Sequence, residues 1–243
     1  VSFNPFLRNV TTAILLASVN FDENEIDEDD IELSAPSSDV AIFHFSELFS
    51  NRTEYPNVVI KLVSDMIQNP EWTFRRSALS ALYELLLSCN TNLEAYCNDI
   101  FQLLLPCLAD QHHICRYYAF RALIYLVESY MFYIEEHTSN LFELILTVVY
   151  SEIYYPTKIV ELKALSAICT STKSTILTPL SGSIIEKIIP LLQSPNVQPL
   201  EQLIVVECIA TVAISSRIDF QPFYQDSINW LKTALTQIQS QEK

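Results

Sequence analysis

The pattern Ala-x-x-Ala-(Leu/Ile) recurs four times in this chain of 243 residues, beginning at Ala78, Ala119, Ala164 and Ala210. The copies are 41, 45 and 46 residues apart. Each lies in a run of helical period, such as Ala78, Leu82 and Leu85, or Ala119, Leu123 and Leu126. Small residues at i and i+3 let a neighbouring helix approach closely, and the large residues beside them fill the groove. A second series falls between the first. Val59, Ile100, Leu141, Ile184 and Ile228 each open an apolar run, at spacings of 41, 41, 43 and 44. Ile100 and Ile184 are each followed six residues later by a proline, Pro106 and Pro190. Each unit therefore holds two helices, the signature of HEAT or armadillo repeats.

The single glycine, Gly182, agrees with this reading, because a sheet protein needs more turn glycines. Asp110, placed between units, and Arg116, six residues later, favour the HEAT option. The expected fold is all-α, a right-handed α–α superhelix of HEAT repeats forming one segment over 1–243. It divides into a partial repeat (1–19), an intervening loop (20–38), and repeats near 39–69, 70–110, 111–155, 156–195 and 196–243.

That loop is acidic. Eight of the eleven residues from Asp22 to Glu32 carry carboxylates: Asp22, Glu23, Glu25, Asp27, Glu28, Asp29, Asp30 and Glu32. None is basic. The segment has too little apolar surface to offset the entropy of ordering it, and its charge suits a basic partner. The net charge is −15, and without those eight carboxylates it would be −7. Such a balance argues against nucleic acid and against adsorption to anionic lipid. No uninterrupted apolar stretch reaches the roughly 18 to 20 residues that span a bilayer. The start, Val1-Ser-Phe-Asn-Pro5, has no signal-peptide profile and no Met, which suggests a piece of a longer chain.

Chemistry is hard to find. One glycine cannot build a phosphate-binding loop, and there is no Gly-x-Ser-x-Gly elbow. Cys107, His112, His113 and Cys115 invite a zinc reading. Cys107, however, sits in the apolar run Leu103–Leu108, the two histidines share a turn, and Cys115 opens the next helix, so packing is the better account. The acidic run lacks the central glycine of a calcium loop. No catalytic residue, metal or cofactor is expected. Cys89, Cys97, Cys107, Cys115, Cys169 and Cys208 form no tight framework and read as free thiols of a reducing compartment. The sequons at Asn9 and Asn51 read as chance matches. Trp72, Trp230 and most of the twelve tyrosines read as inter-helix filler.

Two stretches carry a resemblance. Asn69-Pro-Glu-Trp-Thr-Phe-Arg-Arg-Ser-Ala-Leu-Ser-Ala-Leu-Tyr-Glu-Leu-Leu-Leu-Ser-Cys89 resembles a helix of the importin-β (karyopherin-β) family. Leu104-Leu-Pro-Cys-Leu-Ala-Asp-Gln-His-His-Ile-Cys-Arg-Tyr-Tyr-Ala119 resembles the inter-repeat segment that follows it there. The acidic run stands where the importin beta-3 (Ran-binding protein five) type carries one.

The resemblance implies a central fragment of a nuclear transport receptor that shuttles between cytoplasm and nucleus. Its partners would be basic cargo signals, Ran GTPase and nucleoporins. It also implies that the second helix of each unit lines the cargo-binding face. On that reading the eight carboxylates at 22–32 are the acidic-loop candidates. Asp65, Asp99, Glu143 and Glu186 are the cargo-facing candidates. Only Asp99 stands where the family places an early inner-helix acid; Lys61, Ser139 and Gly182 occupy the matching positions elsewhere. Gln111 replaces the family's inter-repeat proline. The competing reading is a HEAT scaffold subunit of another complex, with the acidic loop as a solvated spacer. An enzyme built on such a body has no catalytic constellation to support it.

Overall fold

A computed structural model describes residues 4–20, 37–88, 93–192, 197–229 and 232. Among these residues there is no strand; they form helices and short turns. The acidic residues 22–32, Cys89 and Trp230 lie outside the described residues. The chain forms two compact units, 1–164 and 165–243.

The first unit contains α1 (Asn4–Ser18), α2 (Ser37–Phe49), α3 (Tyr55–Met66), α4 (Trp72–Ser88), α5 (Cys97–Leu104), α6 (His113–Ile134), α7 (Thr138–Ser151) and the start of α8 (Tyr155–Ser171). Local chemistry explains several boundaries. Pro56 sits in the first turn of α3, where the missing N–H costs nothing. In α5, Cys97, Ile100, Phe101 and Leu104 are buried at helical spacing, so one stripe faces the core. His112 caps α6 by accepting the Ile114 N–H on its ring nitrogen Nδ1. The helix breaks its geometry at Tyr130 (φ −136°, ψ 21°).

The largest helix contact of the unit joins α4 to α6. Ala78, Ala81, Ala119 and Ala122 are all buried, as the small-residue pattern requires for close approach. Around them pack Leu79, Leu82, Leu85, Phe120, Leu123 and Leu126, each fully enclosed.

The second unit contains the rest of α8, α9 (Ser174–Leu192), α10 (Pro199–Ser216) and a helical segment at 221–229. Helix α10 starts with Pro199 and a reciprocal cap: the Gln198 N–H donates to the Glu201 carboxylate at 2.8 Å. Gly182 lies inside α9 rather than in a turn. A Cβ there would stand 3.3 Å from the Phe223 ring, so this glycine permits a close helix approach. The fourth alanine copy departs from the others: Ala210 is exposed and borders a cleft with Phe220, Tyr224 and Ile228. Helix α10 instead buries the face of Val205, Cys208, Ile209 and Val212.

The sequence shows no uninterrupted apolar run of bilayer length, yet α9 and α10 are long and apolar enough to cross one by length and composition. They are each other's main packing partners in this unit, which accounts for their apolar faces. Cys97, Cys107, Cys115, Cys169 and Cys208 are buried free thiols.

Replacing Ala119 with Leu should overpack α6 and destabilise the protein by roughly 1 to 3 kcal/mol. An unchanged thermal melt would show that this face of α6 has room to spare.

Candidate functional site

A charged row runs along the loops of the first unit. Arg75, three residues before Ala78, makes a two-pronged pair with Asp110: Nε donates to Oδ2 at 2.7 Å and Nη2 to Oδ1 at 2.8 Å. Its Nη1 donates to the carbonyls of Asn69 and Pro70, at 3.0 and 2.8 Å. Arg116, three residues before Ala119, repeats the arrangement one unit on. Its Nη1 donates to the Asp110 carbonyl at 2.7 Å, and its Nε donates to Glu152 at 3.0 Å. Its Nη2 closes on the same Glu152 oxygen.

Each carboxylate also caps the loop that holds it. Asp110 accepts the His112 N–H at 2.8 Å, and Glu152 accepts the N–H groups of Ile153 and Tyr154 at 3.0 and 2.9 Å. Such charge-assisted forks fix geometry as well as adding energy. Burial alone would raise the Asp110 pKa. The Arg75 hydrogen bonds and the His112 N–H outweigh it and hold the carboxyl below its usual range.

The acid and base singled out in the sequence, Asp110 and Arg116, therefore do not pair side chain to side chain. The Asp110 carboxylate serves the preceding arginine, and from Asp110 Arg116 takes only the backbone carbonyl.

The row ends in an exception. Glu161 stands three residues before Ala164, in the slot that Arg75 and Arg116 fill in earlier units. It is completely buried, beside Glu152 and with an Arg116 nitrogen at 3.6 Å. Burial, reinforced by the Glu152 charge, pushes its pKa up to about 8. An aromatic row accompanies the charged one. Trp72 stacks on His112 with ring centres 3.8 Å apart and planes 6° apart; His113 follows at 4.8 Å and Tyr154 at 4.2 Å from His113. The residues of the zinc reading are engaged in this packing: the Cys107 thiol donates to the Leu103 carbonyl and the Cys115 thiol to the Trp72 carbonyl.

The cargo-facing candidates are all exposed: Asp65 on α3, Asp99 on α5 and Glu143 on α7 in the first unit, Glu186 on α9 in the second. Asp99 lies in the first turn of α5, where the helix dipole favours an acid, so helix stability alone accounts for it. Asp65 lies in the last turn of α3, where the dipole disfavours an acid, so its presence is not explained that way.

Two features escaped the sequence reading. Arg76 is fully buried. It donates to the Ser18 carbonyl at the end of α1 at 3.0 Å and to the Tyr118 hydroxyl at 3.1 Å, tying α1 to α6 through α4. Arg121 lies among tyrosines rather than acids, Tyr83 on α4 and Tyr117 on its own helix. The available signal was the spacing Tyr117, Arg121, Tyr125, which puts all three on one face of α6.

Against known proteins, residues 73–153 match the family described as the Vacuolar 14 Fab1-binding region. Solved structures share the fold over nearly the whole chain. The structure of Kap121p bound to Pho4p has a TM-score of 0.77 at 18% identity, covering 96% of this chain and 24% of that one. Kap121p bound to RanGTP gives the same values. The karyopherin Kap121p bound to the SUMO protease Ulp1p has a TM-score of 0.76 at 19% identity, covering 96% and 24%. The chain thus spans about a quarter of the length of these structures. Its fold is all-α, of the HEAT-repeat kind seen in karyopherins.

Glu161 supplies a test by pH. Its pKa is raised in the folded protein, from the ordinary 4.5 to about 8, so between those values folding takes up a proton. Stability held in full below the lower value is then lost as pH rises, by up to about 1.4 kcal/mol per pH unit. Glu161→Gln should remove that loss. Urea melts of the two proteins should diverge across this window, with the variant the more stable at its upper end. Parallel curves would mean that Glu161 is charged throughout.

Proposed function

We propose that this chain is a segment of a nuclear transport receptor, a binding module and not an enzyme, that holds basic cargo signals, Ran GTPase or both. The observation that carries the reading is the karyopherin fold over 96% of the chain, combined with a net charge of −15. Structures of Kap121p show it bound to RanGTP, Pho4p and Nup53p. By extension this chain's partners would be Ran, basic cargo and nucleoporins, in a receptor that shuttles between cytoplasm and nucleus. We assign no role to nucleic acid or membrane.

The acidic loop, with Asp22, Glu23, Glu25, Asp27, Glu28, Asp29, Asp30 and Glu32, would steer basic partners. Asp65, Asp99, Glu143 and Glu186 would meet lysines through exposed pairs. Each such pair contributes little alone and becomes useful in a series. The division into repeats near 39–69, 70–110, 111–155, 156–195 and 196–243 belongs to the same proposal. So does the closer kinship to the importin beta-3 type.

A second reading rests on the family match at 73–153. There the chain would be a HEAT scaffold subunit of another complex. Binding kinetics against Ran·GTP, Ran·GDP and a lysine-rich peptide separate the two. On the receptor reading, association slows as salt rises, because screening acts over about 8 Å at physiological ionic strength. Replacing Asp27, Glu28, Asp29 and Asp30 with their amides should slow association more than it speeds dissociation. Failure of both Ran·GTP and the peptide to bind at low salt would favour the scaffold.

A further inference from the structure

We infer that the cleft between α4, α6 and α8 in the first unit is a binding site for an aryl phosphate group. Its centre is Arg121, half-buried on α6. The guanidinium donates to the Tyr83 hydroxyl at 2.6 Å and lies 4.1 Å from the centre of that ring. The Tyr117 hydroxyl stands 3.5 Å away, and the Tyr117 ring centre 5.5 Å. No carboxylate pairs with Arg121 among the described residues. This is the opposite of Arg75 and Arg116, whose charges are matched by Asp110 and Glu152. Arg76 is also held by a phenol, the Tyr118 hydroxyl, but it lies wholly inside the core, whereas Arg121 lines a cleft. Two phenols do not use up the donors of a guanidinium.

Lys163 on α8 brings a second cation to the same cleft. It is exposed and makes no ion pair among the described residues. The cleft is open to solvent on one side and holds about 160 Å³, and its remaining walls are Tyr125, Ile124 and Val160. Two cations match a dianion better than a single carboxylate, and a forked guanidinium suits the oxygens of a phosphate. The aromatic and aliphatic walls suit a ring attached to that phosphate. Burial pushes the Tyr83 pKa up to about 12, so at neutral pH its hydroxyl keeps its proton and remains neutral toward an anion. An extended polyanion is disfavoured, because it would meet the rest of an acidic surface; a single phosphate meets only the cleft.

The test is calorimetric titration of the whole chain with phenyl phosphate, inorganic phosphate and benzoate. Phenyl phosphate should bind saturably at one site, and the other two should bind more weakly. Lys163→Gln, at an exposed position that the fold does not need, should weaken phenyl phosphate roughly tenfold. Arg121→Lys should weaken it at least as much, since it keeps charge and loses the fork. Thermal melts of both variants check that they fold. A phosphotyrosyl peptide, set against its unphosphorylated form, distinguishes the source. Binding of the peptide points to a protein-borne phosphate, and its exclusion while phenyl phosphate binds points to a small aryl phosphate; either result supports the site. The inference is overturned if phenyl phosphate does not saturate, if benzoate matches it, or if Lys163→Gln leaves its affinity unchanged.

Discussion

An arginine that clasps the carbonyls of its own loop and the carboxylate of the next loop sets the stacking of the first unit. Arg75 and Arg116 each do both jobs with one guanidinium. The carbonyls lie at a turn, where no helix partner reaches them, and the carboxylate is held by backbone N–H groups of the following turn. One side chain thereby fixes the distance and the register between successive helix pairs. The apolar core fills whatever space that register leaves. Because the alanines lie three residues beyond each arginine, register and close helix approach are specified together.

This arrangement also governs where charge is left over. The arginines that begin α4 and α6 are drawn inward: Arg75 and Arg116 to acids, Arg76 to a helix end and a tyrosine. Asp65 on α3, Asp99 on α5 and Glu143 on α7 are exposed. The interior takes up charge of both signs: Arg75 and Arg116 are matched by Asp110 and Glu152, and Glu84 and Glu161 are buried as well.

Much of the fold was legible because period is a one-dimensional signal. The buried state of Ala78, Ala119 and Ala164 follows from their spacing and from the large residues beside them. Ala210 shows the limit: the same motif stands at the edge of a cleft because α10 turns another face inward. The partner of Asp110 was not legible, since it lies 35 residues upstream and only the stacked helices bring it close. Glu161 was overlooked because its meaning comes from the slot it occupies, which is visible only once Arg75 and Arg116 are seen to fill the same one. The tyrosines were read as filler, and Tyr118 serves that role. Tyr83 and Tyr117 are buried between helices too, and what composition could not show is that they also hold Arg121, as Tyr118 holds Arg76.

The face-to-face stack of Trp72 on His112 has an optical consequence. The His112 ring accepts the Ile114 N–H that begins α6, so adding a proton there would remove the cap and set a cation against the indole. A cationic imidazole in contact with an excited indole quenches its emission. The light from Trp72 would then report whether the first turn of α6 is capped, and Trp230 is the only other indole in the chain. The inter-repeat turn carries its own fluorescent gauge, readable without a label.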